Sequence, residues 1–301
     1  MQFQDMSKKI EQGDGFIAAL DQSGGSTPKA LAGYGIEEGA WDSEEAMFGL
    51  IHDMRSRIIS SPVFTGQKVL GAILFERTMD GQVGGVSTVK ALLDRGVVPF
   101  IKIDKGLEDE ANGVQLMKPN PTLDTLLHRA KALGVFGTKE RSVIHLANRE
   151  GIAAVVRQQF EVGQQILAAG LVPIIEPEVN IKSAERAQAD QILLEELLKA
   201  LDAMPGDDKV MLKLSLPVQP GLFDPLVDHP RVLRVVALSG GFARPEACVE
   251  LAKNRGIIAS FSRALLNDLR FQMSDDEFNA SLGGAIDEIH AASTAKSPVA
   301  A

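Results

Sequence analysis

The chain has 301 residues, 45% of them hydrophobic and 24% charged, with a net charge of −9. Nucleic-acid binding depends on a broad basic surface, so this charge argues against a nucleic-acid partner. The sequence contains no signal-peptide pattern and no apolar run of roughly 18 residues, which predicts a cytoplasmic protein that does not enter membranes. Cys248 is the only cysteine, which excludes an intrachain disulfide.

Short apolar runs alternate with amphipathic segments, a pattern typical of parallel βαβ units. This alternation favours one (β/α)₈ TIM barrel over residues 1–301, with an open doubly wound sheet or two domains as the alternatives. No G-x-G-x-x-G follows the first strand, which weakens the dinucleotide-binding form of the open sheet. The predicted strands are Phe16–Leu20, Val69–Phe75, Val97–Ile103, Ser142–Leu146, Val172–Ile175, Val210–Leu214, Val235–Leu238 and Ile257–Phe261.

Helices are predicted between the strands. Two begin with a capping-box spacing, Asp42 with Glu45 and Ser274 with Glu277, which satisfies the first free backbone donors. The small and polar residues 291–301 predict a disordered tail. Further predicted helices are Thr122–Leu133, Ile152–Ala169, Ala184–Met204 and Pro245–Arg255.

Apolar strands repeatedly end in charged residues. The carboxyl ends of parallel strands meet on one face of a barrel, so these charges should converge there. Any one of them could instead be a solvated surface charge, but a buried ion costs several kcal/mol unless it is paired, and this set can pair itself. The acids are Asp21, Asp104, Glu176 and Glu178, and the bases are Lys102, Lys139, Arg141 and Lys213.

Lys213 is the candidate nucleophile because it is the only charge in the run Val210–Leu214. An amine attacks a carbonyl only when it is deprotonated, and apolar surroundings or a second cation favour that state. Lys139 or Lys102 could supply the cation. The alternative is a structural ion pair between Lys213 and Glu176.

Loops after three strands have the composition of anion sites. The loops after strands seven and eight often bind phosphate in barrels, through backbone amides and a helix amino terminus. The loop after strand one resembles a second such site, although its glycines could serve only a tight turn. Two sites on one rim predict a substrate phosphorylated at both ends. The residues concerned are Ser239 and Gly240, Ser262 and Arg263, and Ser23 and Ser26.

The five histidines are scattered and show no metal-ligand spacing such as H-E-x-x-H, so no metal site is predicted. A zinc-dependent aldol reaction is disfavoured for the same reason.

The sequence resembles the class I fructose-bisphosphate aldolases, especially their shorter bacterial form. Motifs in the family's order cover nearly the whole chain: LDQSGGSTPKAL, GAILFERTMD, VVPFIKIDKG, FGTKERS, LVPIIEPEVN, MLKL, ALSGG and SFSRAL. The resemblance implies reversible cleavage of fructose 1,6-bisphosphate to dihydroxyacetone phosphate and glyceraldehyde 3-phosphate, in glycolysis and gluconeogenesis and without a cofactor.

The resemblance also implies residue roles. Lys213 would form a Schiff base with the ketone, Glu176 would shuttle protons, and Asp21 would remove the hydroxyl proton whose loss drives cleavage. The charge network would comprise Lys139, which assists carbinolamine chemistry, with Glu178, Arg141 and Lys102. The ketone-side phosphate would bind Ser239, Gly240, Ser262 and Arg263, and the far phosphate Ser23, Ser26 and Lys102.

Longer members of the family end in a tyrosine, whereas the one tyrosine here is Tyr34. Enamine protonation is therefore expected from within the barrel, by Glu176 or a water that it orients. The alternatives are a Schiff-base aldolase for tagatose 1,6-bisphosphate or a keto-deoxy sugar, and a non-enzymatic sugar-phosphate-binding protein. The sequence does not determine the oligomeric state, and a homo-oligomer is one of the possibilities.

Overall fold

Eight parallel strands form a barrel in the computed structural model, which describes residues 1–297. Each strand pairs with the next in chain order, and the Ala19 N–H donates to the Phe261 carbonyl at 3.2 Å, which joins the last strand to the first. The TIM-barrel prediction is confirmed. The strands are β1 Phe16–Leu20, β2 Val69–Leu74, β3 Val98–Lys102, β4 Gly137–Ile144, β5 Val172–Val179, β6 Val210–Ser215, β7 Val232–Leu238 and β8 Ile258–Ala259.

Helices surround the barrel, and none within residues 1–297 is long and apolar enough to cross a membrane. Two short strands, Gln82–Val83 and Val86–Ser87, form a hairpin, and Val114–Gln115 pairs antiparallel with β4. The helices are α1 Phe3–Gln12, α2 Thr27–Tyr34, α3 Glu44–Ser60, α4 Glu76–Asp80, α5 Thr88–Asp94, α6 Leu123–Leu133, α7 Arg149–Ala168, α8 Arg186–Asp202, α9 Asp224–Val227, α10 Arg244–Ala252, α11 Arg263–Leu266 and α12 Asp275–Thr294.

The fourth strand begins five residues before the predicted Ser142, so Lys139 and Arg141 lie inside β4. The run Lys-Glu-Arg broke the apolar pattern that the prediction used. The strand tolerates Lys139 and Arg141 because alternate side chains face the barrel interior, where these two charges are paired.

The helix caps are partly as predicted. The Ser274–Glu277 capping box is confirmed. The prediction of Asp42 as a cap is wrong, because Ser43 is the N-cap of α3 and its Oγ accepts the Ala46 N–H at 3.2 Å.

The end of the chain is ordered further than the sequence suggests. Helix α12 continues to Thr294, and Lys296 Nζ donates to the carbonyls of Leu251, Ile257 and Ala292 at 3.2, 2.6 and 3.0 Å. The disordered-tail prediction is therefore wrong for residues 291–297. Residues 298–301 lie outside the described part of the chain.

Strand alternation divides the core into an outer layer under the helices and an inner cluster within the barrel. Helix α1 closes the amino-terminal end, where Met6 and Ile10 pack with Ile17 and Phe100 of the inner cluster. The carboxyl-terminal end has no such apolar plug and opens into a cleft of about 1220 Å³.

Candidate active site

The cleft at the carboxyl ends of the strands is lined by every residue that the sequence assigned to catalysis or phosphate binding. It lies where enzymes with this fold place their sites, because the eight loops converge there. Those residues are Asp21, Ser23, Ser26, Lys102, Lys139, Arg141, Glu176, Glu178, Lys213, Ser239, Gly240, Ser262 and Arg263.

Four charged side chains form the floor of this cleft. Lys139 Nζ lies 2.6 Å from Asp21 Oδ2 and 2.9 Å from Glu176 Oε2, and Lys213 Nζ lies 3.2 Å from Glu176 Oε1. All four are buried, with Lys213 4% and Asp21 9% exposed. Glu176 therefore stands between two amines, and the two acids balance the two bases.

The electrostatics of the floor fix the charge of three of these groups. Burial opposes the ionisation of Asp21 and Glu176, but the cations of Lys139 and Lys213 outweigh it and hold both pKa values below their usual range. Burial likewise lowers the pKa of Lys139, but Asp21 and Glu176 outweigh it and raise that pKa. Lys139 is thus a cation at neutral pH, and it shares a carboxylate with Lys213.

The contact of Lys139 with Glu176 is an ion pair and not a well-angled hydrogen bond. Glu176 Oε2 has no hydrogen-bond partner among residues 1–297, although it is buried. The backbone carbonyl of Glu176 accepts from the buried Gln159 side chain at 3.1 Å, which holds the strand in place beneath the carboxylate. A carboxylate held in this way can accept a proton from a group in the cleft.

The remaining strand-end charges form two pairs nearer the rim. Lys102 Nζ lies 3.1 Å from Asp104 Oδ1 and donates to Ser23 Oγ at 2.7 Å. Arg141 Nε donates to Glu178 Oε2 at 2.5 Å. All eight strand-end charges are therefore paired, which their balance in the sequence permits.

The loop after β7 needs glycine for its shape. Gly240 has φ +60°, and a Cβ there would lie 2.5 Å from Ile181 Cγ2. Next to it, Gly241 has φ +123°, and a Cβ there would lie 3.5 Å from an Arg263 guanidinium nitrogen. Arg263 is exposed and points toward this loop. An anion bound on this side of the cleft could therefore contact both the guanidinium and the backbone of the loop.

The loop after β1 uses its hydroxyls in two ways. Ser23 Oγ faces Lys102, as described above. Ser26 Oγ accepts from the Ser23 N–H at 2.9 Å and donates to the Ser23 carbonyl at 2.8 Å, so this hydroxyl is bonded within the loop. Lys102 and Ser23 are therefore the better placed of the three for an anion.

Two residues of this region were not found from the sequence. Arg55 lies on α3 with no exposed surface and donates to Gln22 and Thr78, and Gln22 in turn donates to Ser262. Neither has a sequence signal, because Arg55 stands in an amphipathic helix close to the partly exposed Arg57 and Gln22 is an uncharged loop residue.

Within residues 1–297, no group of three or more His, Cys, Asp or Glu side chains is arranged to hold a metal ion.

The model of the family described as fructose-bisphosphate aldolase class-I matches residues 3–223, most of the chain. The chain belongs to this family. Members of the family are lyases that act on sugar phosphates, and the barrel with its charged cleft agrees with that membership.

Solved structures with similar backbones support the fold. Fructose-bisphosphate aldolase from Plasmodium falciparum, crystallised in a ternary complex with TRAP and a small-molecule inhibitor, matches with a TM-score of 0.80 at 21% identity. The match covers 99% of this chain and 95% of that one. A protein from Corynebacterium glutamicum matches with a TM-score of 0.53 at 15% identity, over 96% of this chain and 91% of that one.

Proposed function

We propose that this member of the class I aldolase family reversibly cleaves fructose 1,6-bisphosphate to dihydroxyacetone phosphate and glyceraldehyde 3-phosphate through a Schiff base on Lys213. The observation that carries the proposal is the buried floor, in which Glu176 joins Lys213 to the protonated Lys139. The nucleophile Lys213, the proton carrier Glu176 and the permanent cation Lys139 are therefore in direct contact with one another through Glu176.

Attack on the ketone requires the free amine of Lys213, so the ammonium form that pairs with Glu176 first passes a proton to solvent. Glu176, 3.2 Å away, is the nearest carboxylate, and it takes up the proton that Lys213 loses on attacking the ketone carbon. Glu176 then returns a proton to the carbinolamine hydroxyl, which leaves as water and gives the protonated imine. Lys139 keeps its charge throughout and stabilises the oxygen on which negative charge develops.

Cleavage follows from the other side of the floor. Asp21 is ionised because its pKa is held low, and it accepts the hydroxyl proton of the carbon that becomes the aldehyde. The carbon–carbon bond breaks, its electron pair moves into the protonated imine, and an enamine forms on Lys213. Glu176 or a water that it orients protonates the enamine, and hydrolysis of the imine releases dihydroxyacetone phosphate.

The two phosphates bind on opposite parts of the rim. Arg263 with the loop after β7 binds the ketone-side phosphate, and Lys102 with the loop after β1 binds the other. These local cations act despite the net charge of −9, because distant charges are screened over about 8–10 Å by salt. The ketone-side set is Ser239, Gly240, Ser262 and Arg263, and the far set is Ser23, Ser26 and Lys102.

Reduction with borohydride in the presence of dihydroxyacetone phosphate tests the proposal, because only an imine is converted to a stable amine adduct. We expect inactivation and one triose phosphate on the peptide that contains Lys213. An adduct on Lys139 or Lys102, or no adduct on an active enzyme, would overturn it. The ratio of kcat/KM for fructose and tagatose 1,6-bisphosphates measures the preference between these epimers, and we expect fructose 1,6-bisphosphate to be preferred.

A further inference from the structure

Arg55 is the largest side chain that is completely buried in the described chain, and its hydrogen-bond partners there are all neutral. One terminal nitrogen donates to Thr78 Oγ1 at 2.8 Å. The other donates to the Gln22 carbonyl and faces Gln22 Oε1 at 3.3 Å. Placing a guanidinium in the interior without a carboxylate partner is costly, so its position calls for a function.

The partners of Gln22 fix the orientation of its side-chain amide from both sides. A guanidinium has only donors, so Arg55 must face the amide oxygen. The Ala19 carbonyl, 3.3 Å from Nε2, has only acceptors, so it must face the amide nitrogen. The amide of Gln22 therefore has one allowed orientation, and its Nε2 donates to Ser262 Oγ at 2.6 Å.

This orientation determines what Ser262 can do. A hydroxyl that accepts a hydrogen bond from Gln22 retains its own proton for another partner. Ser262 lines the cleft beside Arg263, where the ketone-side phosphate is assigned. A phosphate oxygen is an acceptor, and a donor aimed at it forms a charge-assisted bond.

We propose that Arg55 and Gln22 are positioning residues that act in one direction through Ser262, so that its hydroxyl donates to the phosphate of a bound triose or ketose phosphate. The proposal rests on the assigned function of the rim, and it adds two residues that do not touch the phosphate. Every bond in the series runs the same way: Arg55 donates to Gln22, Gln22 donates to Ser262, and Ser262 donates to the ligand.

The buried charge of Arg55 fits this role. Burial lowers the pKa of Arg55 to about 10, with Asp21 opposing the shift, so the guanidinium stays protonated at neutral pH. It can therefore never accept a hydrogen bond, and the direction of the series cannot reverse under physiological conditions.

The test measures binding of glycerol 3-phosphate by calorimetry, because this triose phosphate has no ketone and cannot form an imine. Gln22→Met removes the donor to Ser262 without adding charge. Ser262 keeps its hydroxyl in this variant but loses the bond that orients it, so we expect the dissociation constant to rise by up to roughly ten-fold, and by less than in Ser262→Ala. Glycerol binding serves as the control without phosphate.

A double-mutant cycle with Ser262→Ala shows whether the effect passes through the hydroxyl. If it does, Gln22→Met adds less than about two-fold once Ser262 is alanine. Multiplicative effects of the two changes, or unchanged affinity in folded Gln22→Met, would overturn the proposal. Gln22→Glu provides a second variant, because its carboxylate still accepts from Arg55 but cannot donate to Ser262, and its charge effect is measured in the Ser262→Ala background.

Failure of this inference is distinguishable from failure of the proposed function. Glycerol 3-phosphate binding does not involve Lys213, whereas borohydride trapping does not depend on the orientation of Gln22. An imine without coupling between Gln22 and Ser262 would reject only the positioning role. Coupling without an imine would leave a phosphate site and reject the aldolase.

Discussion

The two ends of the barrel differ in the side chains that the same eight strands place inside it. One end is packed with apolar residues, and the other opens into a charged cleft. At the amino-terminal end, helix α1 packs Met6 and Ile10 onto apolar interior residues such as Ile17. At the carboxyl-terminal end, five of these strands, β1 and β3 to β6, carry charges within the strand or just beyond it, and each charge has a partner within 4 Å. The apolar side chains at the amino-terminal end are therefore stable once they are buried. The charged side chains at the carboxyl-terminal end must also be paired when they are buried.

This difference separates stability from chemistry along the barrel axis. Apolar burial contributes about 25 cal/mol for each Å² removed from water and needs no specific partner. Buried ion pairs contribute little net stability because desolvation offsets their attraction. Changes at the amino end should therefore alter stability and leave turnover alone. Changes at the carboxyl end should alter turnover first, and they should lower stability only where one partner of a buried pair is left uncompensated.

The largest effect is expected for Lys213→Met, with Lys209→Met as its control at the opposite end of the same strand. Lys209 precedes β6 and pairs with Glu11 at 2.6 Å, at the amino end of the barrel. Loss of the nucleophile should lower kcat by about 10⁴-fold or more, whereas the control should stay within two-fold. Steady-state cleavage assays measure both, and a large loss in Lys209→Met would refute the separation of the two ends.

Glu176→Gln should be the next most severe change. A proton carrier typically contributes 10²–10⁴-fold to the rate, and the amide cannot take up the proton from Lys213. We expect kcat to fall within that range while the folded structure is retained, since Asp21 still pairs with Lys139. Circular dichroism with cleavage kinetics measures this, and a variant with normal kcat would assign proton transfer to another group.

Ile10→Ala tests the amino end. Ile10 has no exposed surface and lies in the inner cluster, so its truncation should cost about 2–5 kcal/mol of unfolding free energy. The midpoint of thermal unfolding should fall by several degrees, whereas kcat and KM should remain within two-fold of the unaltered enzyme. A folded variant with a large loss of kcat would show that the plug supports the cleft after all.

The sequence predicted the charged end better than it predicted the elements that carry it. Strand-end charges such as Lys213 stand out against apolar runs, and parallel topology then brings them together. The start of β4 could not be predicted in the same way. Lys139 and Arg141 are charged and so look like loop residues in the sequence, although the alternation of the strand places their side chains inside the barrel. Their burial depends on partners from β1 and β5 that are distant in sequence.

Arg55 and Gln22 show a second limit. Nothing distinguishes Arg55 from Arg57 two residues later until α3 is packed against the barrel and one of the two becomes buried. The order of residues 291–297 also depends on tertiary contacts, because Lys296 is held by carbonyls from three separate positions. The composition of the sequence therefore predicts neither the burial of Arg55 nor the order of residues 291–297.

Glu140 offers a smaller and pH-dependent effect beside the floor. It lies on the outer face of β4 with no exposed surface, and neither carboxyl oxygen has a hydrogen-bond partner within residues 1–297. Burial, with Asp104 adding to it and Lys139 opposing it, raises the pKa of Glu140 well above 4.5. The unfolded chain therefore loses this proton at lower pH than the folded one, so Glu140 costs stability as pH rises above about 4.5.

Glu140→Gln should remove that cost. The thermal midpoint of the variant minus that of the unaltered protein should grow between pH 4 and pH 8. The pairs of Asp21 and Glu176 do not produce this trend, because their lowered pKa values make their contribution constant above about pH 5. Glu161→Gln, on the exposed face of α7, is the matched control and should show no such slope. A difference that shrinks with pH would mean that Glu140 is ionised in the fold.

The smallest effect on turnover is expected from deletion of residues 294–301. The described part of this segment bonds at the amino end of the barrel, since Lys296 meets the carbonyl of Ile257 just before β8 and Ser297 N–H donates to the Ala252 carbonyl at 2.9 Å. Burial and the charge of Arg234 lower the pKa of Lys296 to about 8, which agrees with a position away from solvent. Loss of the three hydrogen bonds of Lys296, each contributing about 0.5–1.5 kcal/mol, should lower the thermal midpoint by a few degrees.

The rates of cleavage and of deuterium exchange at dihydroxyacetone phosphate, the latter followed by NMR, should both stay within a few-fold of those of the intact enzyme. The reason is that enamine protonation is assigned to Glu176 or a water that it orients. A folded truncation that cleaves normally but exchanges a hundred-fold more slowly would place the proton donor in the deleted segment.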